Sequence, residues 1–296
     1  MAVHISALKR KEISSAYLFL LPVLLLLLLF YIIPTIMAFF VSMTDYSMLE
    51  SPVWLGVGNY IKIIHDPVFL KSIVNTVLYS LIYIPGNIVL AFILALMLLQ
   101  PFVKMKGTWL TALYLPRMTS MVVASFIWLW LYQPDYGLLN NLLSYVGIPP
   151  QKWIYSSSAV LPSVALVTIW KEVGYTTVLV IAGLEGIPKD FYDASEVDGA
   201  TKWQTFWKIT IPLLKPVLLL VIIRTTIESF RVFTQIFVMT KGGPANASTT
   251  IIHQIYQTGF EYMRLGEASA MSFILLFILV IVFIPYVRMM REKTTF

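Results

Sequence analysis

The sequence has no cysteine among its 296 residues and only three histidines, His4, His65 and His253. Without cysteine the chain cannot form a disulfide framework, a cysteine-ligated zinc site or a thiol nucleophile. The three histidines are too far apart along the chain to form a local metal site. We therefore predict no metal site in this chain.

Charge is also scarce, since only 12% of the residues are charged and 58% are hydrophobic. A soluble domain averages about 25% charged residues, so the composition excludes an ordinary soluble enzyme. The net charge of +6 does not indicate a nucleic-acid partner, because membrane proteins collect Lys and Arg on their cytoplasmic side. We expect lipid, and no nucleic acid, around this chain.

Long uncharged stretches are abundant instead. Residues 13–44 and 72–103 each form a run of 32 residues without charge, whereas a membrane helix needs roughly 20 apolar residues. The first run exceeds the apolar region of a signal peptide, about 7 to 15 residues, so we expect a retained helix. Further spans are predicted at 108–132, 159–184, 211–238 and 268–287. The predicted fold is an all-α integral membrane protein with six transmembrane helices.

The distribution of Lys and Arg gives an orientation. With the N-terminus inside, twelve basic residues fall on the cytoplasmic side and five outside. The positive-inside rule therefore predicts a multi-pass protein with both termini in the cytoplasm. We divide the chain into an N-terminal helix with its outer loop (1–71), a transmembrane core (72–288) and a cytoplasmic tail (289–296).

The cytoplasmic segment 185–212, here called the coupling loop, is the most informative. Its acids precede its bases, as helix dipoles prefer, and Pro188 and Gly199 suit the start and end of a short helix, with Pro212 opening the next one. A plain surface linker is one interpretation. A partner-docking helix is the other, because many exposed apolar groups are expected here: Phe191, Tyr192, Val197, Trp203, Phe206 and Trp207.

This loop resembles the signature of a known family. The family pattern is Glu-Ala-Ala, three residues, Gly, nine residues, Ile, one residue, Leu-Pro. This chain has Asp193-Ala194-Ser195, Gly199 and Ile209-Thr210-Ile211-Pro212, with every spacing kept. It thereby resembles the permease subunits of binding-protein-dependent ABC importers, of the carbohydrate type related to the maltose and glycerol-phosphate permeases. Asp193, Ser195 and Ile211 depart from the pattern.

Shorter similarities occur in the family's order along nearly the whole chain. They include Trp54-Leu-Gly-Val-Gly-Asn-Tyr60, Tyr114-Leu-Pro116, Asp135-Tyr-Gly-Leu-Leu-Asn140 and Thr240-Lys-Gly-Gly-Pro244. The resemblance implies the type I ABC importer fold, with a cytoplasmic coupling helix over 189–199. It also implies coupling to an ATPase through Tyr192, Asp193, Ala194, Ser195, Asp198, Gly199, Ile209 and Pro212.

The same resemblance implies partners. These are a second permease subunit, a dimer of ATP-binding subunits and an extracytoplasmic sugar-binding protein, assembled at the cell inner membrane around a sugar substrate. ATP and Mg²⁺ would bind the partner ATPase. Consistently, the chain has no Gly-x-x-x-x-Gly-Lys-Ser/Thr loop, so we expect no cofactor and no catalytic residue in it.

Charged residues inside the spans are candidate pathway residues. Arg224, Glu228 and Arg231 are spaced four and three apart and share one helix face. They form either a self-neutralising ladder that fixes packing or a polar lining of the sugar pathway. Glu228 stands between the two arginines, so the spacing leaves open whether the substrate is charged.

The fourth span carries Lys171 and Glu172 in its middle, beside Trp170, Tyr175 and Thr176. Aromatic rings next to hydrogen-bonding groups suit a sugar. Alternatively, the two charges pair with the second permease subunit. Adjacent helix residues point about 100° apart, and we favour Glu172 over Lys171 as the pathway residue because Thr176 shares its face.

The second span repeats a polar residue every four positions at Asn75, Tyr79, Tyr83 and Asn87, with Pro85-Gly86 as an expected kink. Such a stripe serves either packing or substrate contact.

We expect His253 to be a surface residue of an outer loop.

The function predicted is a permease subunit, not an enzyme, of an ATP-driven sugar importer that forms half of the pathway. The alternative is a self-sufficient secondary transporter in which the intramembrane charges relay protons or bind an ion. An intramembrane enzyme is disfavoured because no histidine and no nucleophile–base grouping falls within a predicted span.

Overall fold

The computed structural model describes residues 7–47 and 51–291. His4 and residues 292–296 of the predicted tail lie outside this part of the chain. The helices, in chain order, are α1 Ala7–Leu27, α2 Ile33–Ser42, α3 Gly58–Ile64, α4 Pro67–Leu98, α5 Lys106–Met118, α6 Met121–Leu131, α7 Leu138–Tyr145, α8 Val160–Glu185, α9 Lys189–Val197, α10 Lys202–Thr205, α11 Ile211–Phe230, α12 Thr234–Met239, α13 Ile251–Tyr256 and α14 Leu265–Arg291.

Short turns and one hairpin complete these elements. π-helical turns occupy Leu28–Ile32, Phe206–Thr210 and Gln257–Glu261, and a 3-10 turn covers Trp153–Tyr155. The strands β1 Thr44–Asp45 and β2 Val53–Trp54 pair antiparallel, with Thr44 opposite Trp54. The predicted all-α membrane fold is confirmed.

The described helices include five that are long and apolar enough to cross a membrane, or six if one bent pair counts as a span. The bent pair is α5 and α6, which meet at 98°, so the span predicted at 108–132 is broken. The break falls at Thr119 and Ser120, whose ψ angles of 139° and 140° are extended rather than helical.

The span predicted at 211–238 begins earlier than expected, since the candidate span covers Lys202–Met239. Helix starts at Lys202, where Thr201 and Gln204 form a reciprocal capping box, and continues through the π-turn into α11. The prediction that Pro212 opens this helix is therefore wrong. The helix stops at Phe230, and α12 follows after a short break.

The chain divides into two compact units. Among the described residues, the first comprises 7–47, 51–63 and 257–274. Within it, the Asn59 amide nitrogen donates to the carbonyls of Ser42 at 2.9 Å and Thr44 at 2.8 Å, which fixes α3 against the end of α2. The backbone of Gly266 lies against the Thr44 carbonyl so closely that a side chain would not fit.

The second unit comprises the described residues 64–256 and 275–291. Its centre is α8, which packs along α4, α5 and α11. Gly174 allows the close approach of α5, because a Cβ there would collide with the Leu113 carbonyl. α4 remains one helix through Pro85, so the expected kink does not interrupt it.

His253 lies on α13 and is buried, so the prediction of a surface position is wrong. The polar residues before it are buried as well. Thr250 donates to the Val232 carbonyl at 3.0 Å, and the Ile251 amide donates to the Thr76 hydroxyl at 3.0 Å. These bonds hold a segment that resembles an outer loop inside the second unit.

Candidate functional site

The candidate site is built around Glu172, at the middle of α8. It lies twelve residues after Val160 and thirteen before Glu185, so at about 1.5 Å per residue it is about 18 Å from either helix end. A carboxylate at this depth of a membrane is costly unless it is paired.

Two arginines from neighbouring helices bind this carboxylate. Arg117 of α5 and Arg224 of α11 both donate to Glu172 Oε2, the latter at 3.0 Å. Arg224 also pairs with Glu228, one turn further along α11. The ion pairs join three helices of the second unit. With Lys171, these residues are called the charged cluster below.

Tyr175 and Lys171 complete the surroundings of the arginines. The guanidinium carbons of Arg117 and Arg224 each lie 4.0 Å from the centre of the Tyr175 ring, a cation–π arrangement. Lys171 is buried, and its Nζ donates to the Arg117 carbonyl at 2.8 Å. Lys171 and Glu172 thus both find partners within this chain.

Two tyrosines of α4 also contact this region. Tyr83 donates to Glu228 Oε2 at 3.0 Å, and Tyr79 donates to the Thr168 hydroxyl at 2.7 Å. Gln235 Nε2 also donates to Thr168, at 2.9 Å. Both tyrosines are buried, and the network ties α4 and the segment after α11 to α8.

A cavity of about 290 Å³, here called the central cavity, opens between these residues. It is close to the smallest ligand pockets, which measure about 300 Å³. Its lining combines polar, charged and aromatic groups: Met121, Thr168, Glu172, Ile227, Glu228, Arg231, Val232, Phe233, Thr234 and Gln235. Such a surface can bind hydroxyl groups and one face of a small ring.

The structure brings together only some of the predicted pathway residues. Glu172, Glu228 and Arg231 line the central cavity. Arg224, Tyr79 and Tyr83 each form a hydrogen bond with a lining residue, and Tyr175 contacts Arg224. Three others lie elsewhere.

Asn75 donates to the carbonyls of Asn246 and Thr249, both at 2.9 Å, and therefore holds a loop. Trp170 packs edge-to-face on Trp128, with ring centres 5.6 Å apart. Thr176 is buried and donates to the Glu172 carbonyl at 3.3 Å.

Sequence reasoning missed Arg117, Thr168 and Gln235 as members of this site. Arg117 carried a signal, since an arginine within an apolar span demands a partner. Its partner Glu172 is 55 residues away, so no local spacing could identify the pair. Thr168 and Gln235 carry no charge, and nothing in the sequence separates them from other polar residues of the spans.

The coupling loop forms a second candidate site. Hydrogen bonds between side-chain hydroxyls join its helix α9 to α10 and to the π-helical turn that follows α10. The Ser195 and Thr205 hydroxyls lie 3.2 Å apart, and those of Tyr192 and Thr210 lie 3.3 Å apart. Ser195 is buried, and it also donates to the Tyr192 carbonyl at 2.7 Å.

The opposite face of α9 is exposed, including Asp193, Ala194 and Val197. The chain leaves α9 through Asp198 and turns at Gly199, whose φ of +70° favours glycine. A hollow of about 470 Å³ beside this turn is lined by Ala194, Ser195, Asp198, Gly199 and Ile209, among others. The arrangement offers a short, firmly held helix with a free outer face.

Comparison with known proteins gives consistent results. Residues 68–291 match the family described as the binding-protein-dependent transport system inner membrane component. The trehalose/maltose transport system permease protein MalF of Thermococcus litoralis is 34% identical over 293 residues, 97% of each chain. The sulfoquinovosyl glycerol transport system permease protein SmoG of Agrobacterium fabrum is 31% identical and covers 94% of this chain and 91% of its own.

A solved structure supports the fold. It is a chain of the bacterial alginate ABC transporter in complex with an alginate pentasaccharide-bound periplasmic protein, with a TM-score of 0.82 at 24% identity, covering 96% of both chains. The predicted type I importer fold is thereby confirmed. The protein is a multi-pass transport permease rather than an enzyme, and it belongs to the inner membrane components of binding-protein-dependent ABC transport systems.

Proposed function

We propose that this chain is a permease subunit of an ATP-driven sugar or oligosaccharide importer, in which it forms half of the translocation pathway. The observation that carries the proposal is α9, a short helix held by its inner face and free on its outer face, in a chain whose relatives are sugar permeases.

Coupling runs through α9 and the turn that follows it. The exposed face, with Asp193, Ala194 and Val197, seats in a cleft of a partner ATP-binding subunit, and Gly199 sets the exit of the chain. Because α10 and α11 continue as one helix from Lys202, movement of α9 is transmitted directly to the charged cluster. ATP and Mg²⁺ bind the partner, and this chain needs no cofactor.

The central cavity serves the sugar. Phe233 offers an aromatic face for the C–H groups of a sugar ring, while Gln235 and Thr168 offer hydrogen-bonding groups for its hydroxyls. A second permease subunit supplies the facing half of the pathway. An extracytoplasmic binding protein delivers the sugar, and both termini of this chain lie in the cytoplasm at the cell inner membrane.

A self-sufficient secondary transporter is the competing function. The Tyr83–Glu228–Arg224 chain of hydrogen-bonded groups is the observation that favours it, because proton-coupled carriers use such intramembrane chains. An importer permease needs a partner ATPase for uptake and a secondary transporter does not.

The experiment is to purify the complex from its native membrane and assay ATP hydrolysis in nanodiscs with and without sugar-loaded binding protein. We expect an ATP-binding subunit and a second permease to copurify, and the loaded binding protein to stimulate hydrolysis. An inactivated nucleotide site in the partner is the control. A chain that purifies alone and takes up sugar in liposomes without ATP contradicts the proposal.

A further inference from the structure

Arg231 has an unusual position among the charges of the membrane interior. Four basic residues lie there in the described chain: Arg117, Lys171, Arg224 and Arg231. The first three have partners, which are Glu172 for the two arginines and a backbone carbonyl for the lysine. For Arg231, no ion pair and no side-chain hydrogen bond occurs among residues 7–47 and 51–291.

Glu228 does not serve Arg231, although the sequence places it between two arginines. Its Oε1 binds Arg224, and its Oε2 accepts the Tyr83 hydroxyl at 3.0 Å. Glu172 is occupied by Arg117 and Arg224 through Oε2. The ladder that would have neutralised both arginines of α11 is therefore only half formed.

The charge of the site is consequently unbalanced. Four basic residues face two carboxylates, Glu172 and Glu228, which leaves an excess of positive charge. Arg231 is exposed in this chain at the end of α11, where it lines the central cavity, and an unpaired charge within a membrane span is costly. An anionic group in the central cavity would relieve this cost, whereas a neutral ligand would not.

Arg231 is also placed to bind a ligand. It lines the central cavity beside Phe233 and Gln235, and it follows directly on the last residue of α11, Phe230. A guanidinium group binds carboxylate, sulfate or phosphate through two parallel hydrogen bonds. The amide nitrogen of Gln235 donates to the Thr168 hydroxyl. The side-chain carbonyl oxygen of Gln235 can then accept a hydrogen bond from a sugar hydroxyl.

We propose that the substrate of this permease is an anionic sugar and that Arg231 binds its acidic group in the central cavity. This inference rests on the proposed importer function and specifies the class of sugar. Phe233 and Gln235 then bind the ring of the same sugar unit, so that the acidic unit is the one held at this depth.

The test uses the assembled importer in proteoliposomes with its own binding protein. Uptake driven by ATP is measured for uronate, sulfated and phosphorylated oligosaccharides, for the methyl esters of the uronates, and for the neutral parent sugars. The wild type is compared with Arg231→Gln and Arg231→Lys. Arg264→Gln is the matched control, because it removes an arginine from the first unit and leaves Glu267 paired with Lys62.

Arg231→Gln is expected to lower uptake of the acidic sugar by about tenfold or more, the usual effect of losing a charged hydrogen bond. Uptake of the ester or the neutral parent should change less than about twofold, and Arg231→Lys should lie between. Since one binding protein serves all variants, a change in the preference for acid over ester belongs to this chain.

Three results would overturn the inference. Uptake restricted to neutral sugars, with Arg231→Gln unaltered, contradicts the anionic substrate but leaves the importer function intact. An equal loss for acid and ester means that Arg231 pairs with a partner subunit or supports packing. Absence of any ATP-driven sugar uptake by the assembled complex contradicts the proposed function itself, and the inference with it.

Discussion

Two carboxylates of this chain each bind two basic side chains, and their surroundings differ. Glu267, in the first unit, accepts from Lys62 at 2.6 Å and from Arg264 at 3.1 Å, and these basic side chains are 59% and 49% exposed. Glu172, in the second unit, binds two arginines whose side chains are only 27% and 20% exposed.

The acids themselves are similarly buried, with exposures of 10% for Glu267 and 13% for Glu172. The difference therefore lies in the bases. If the acid is lost, Lys62 and Arg264 can turn to water, whereas Arg117 and Arg224 remain against the Tyr175 ring inside the unit. Burial of the basic partners, rather than the number of ion pairs, decides how much each acid stabilises the fold.

The largest expected effect follows from Glu172→Gln. The substitution leaves Arg117 without a carboxylate and Arg224 with Glu228 alone, and it should destabilise the chain by about 3 kcal/mol, at the lower end for breaking a buried pair. Thermal unfolding of the full chain in detergent measures this as a melting temperature lowered by several degrees.

A second variant distinguishes the loss of the ion pair itself from the cost of leaving an unpaired arginine in the protein interior. Arg117→Gln combined with Glu172→Gln removes one base together with the acid, so it should be more stable than Glu172→Gln alone. A double variant that is less stable would show that the pairs matter through packing rather than through charge.

Tyr175→Leu should have the next largest effect. It removes the ring that lies 4.0 Å from both guanidinium groups and should cost about 1 to 2 kcal/mol, since each such contact contributes about 0.5 to 1 kcal/mol or more. The same melting experiment measures it. Tyr175→Phe keeps the ring and is the control; equal destabilisation by both variants would exclude the cation–π explanation.

Glu267→Gln should cost less than about 1 kcal/mol, because its half-exposed partners regain hydration. The loss should shrink further in high salt, which screens exposed charges but hardly affects buried ones. A melting temperature that falls as far as that of Glu172→Gln would break the comparison between the two carboxylates.

Some ion pairs of the charged cluster could be predicted from the sequence and others could not. Arg224 and Glu228 are four residues apart on one helix, so their pairing follows from helical geometry. The pairing of Arg117 with Glu172 does not, because it depends on how α5 packs on α8 at Gly174. The spacing of Arg224, Glu228 and Arg231 also left open which of the two arginines forms an ion pair with Glu228.

The two wrong predictions have a common physical cause. Pro212 was expected to open a helix and His253 to lie on the surface, because proline and polar residues usually mark helix starts and loops. Yet a capping box at Thr201 starts the helix earlier, and buried hydrogen bonds of Thr250 and Ile251 hold the polar segment inside. Tertiary partners overrode both local signals.

The smallest effect on stability is expected from α9, where charges are exposed. Asp193→Lys with Val197→Asp changes two exposed side chains and should change the free energy of unfolding by less than about 0.5 kcal/mol. The melting temperature should therefore hardly move. The same variant should abolish stimulation of the partner ATPase by sugar-loaded binding protein, because these residues form the proposed docking face. Lys152→Glu reverses an exposed charge between α7 and α8 and is the control; its ATPase stimulation should stay normal.

Normal stimulation of the double variant would contradict the docking role of α9. A large loss of stability would instead show that the exposed face of α9 supports the fold, and exposure would then no longer separate α9 from the charged cluster.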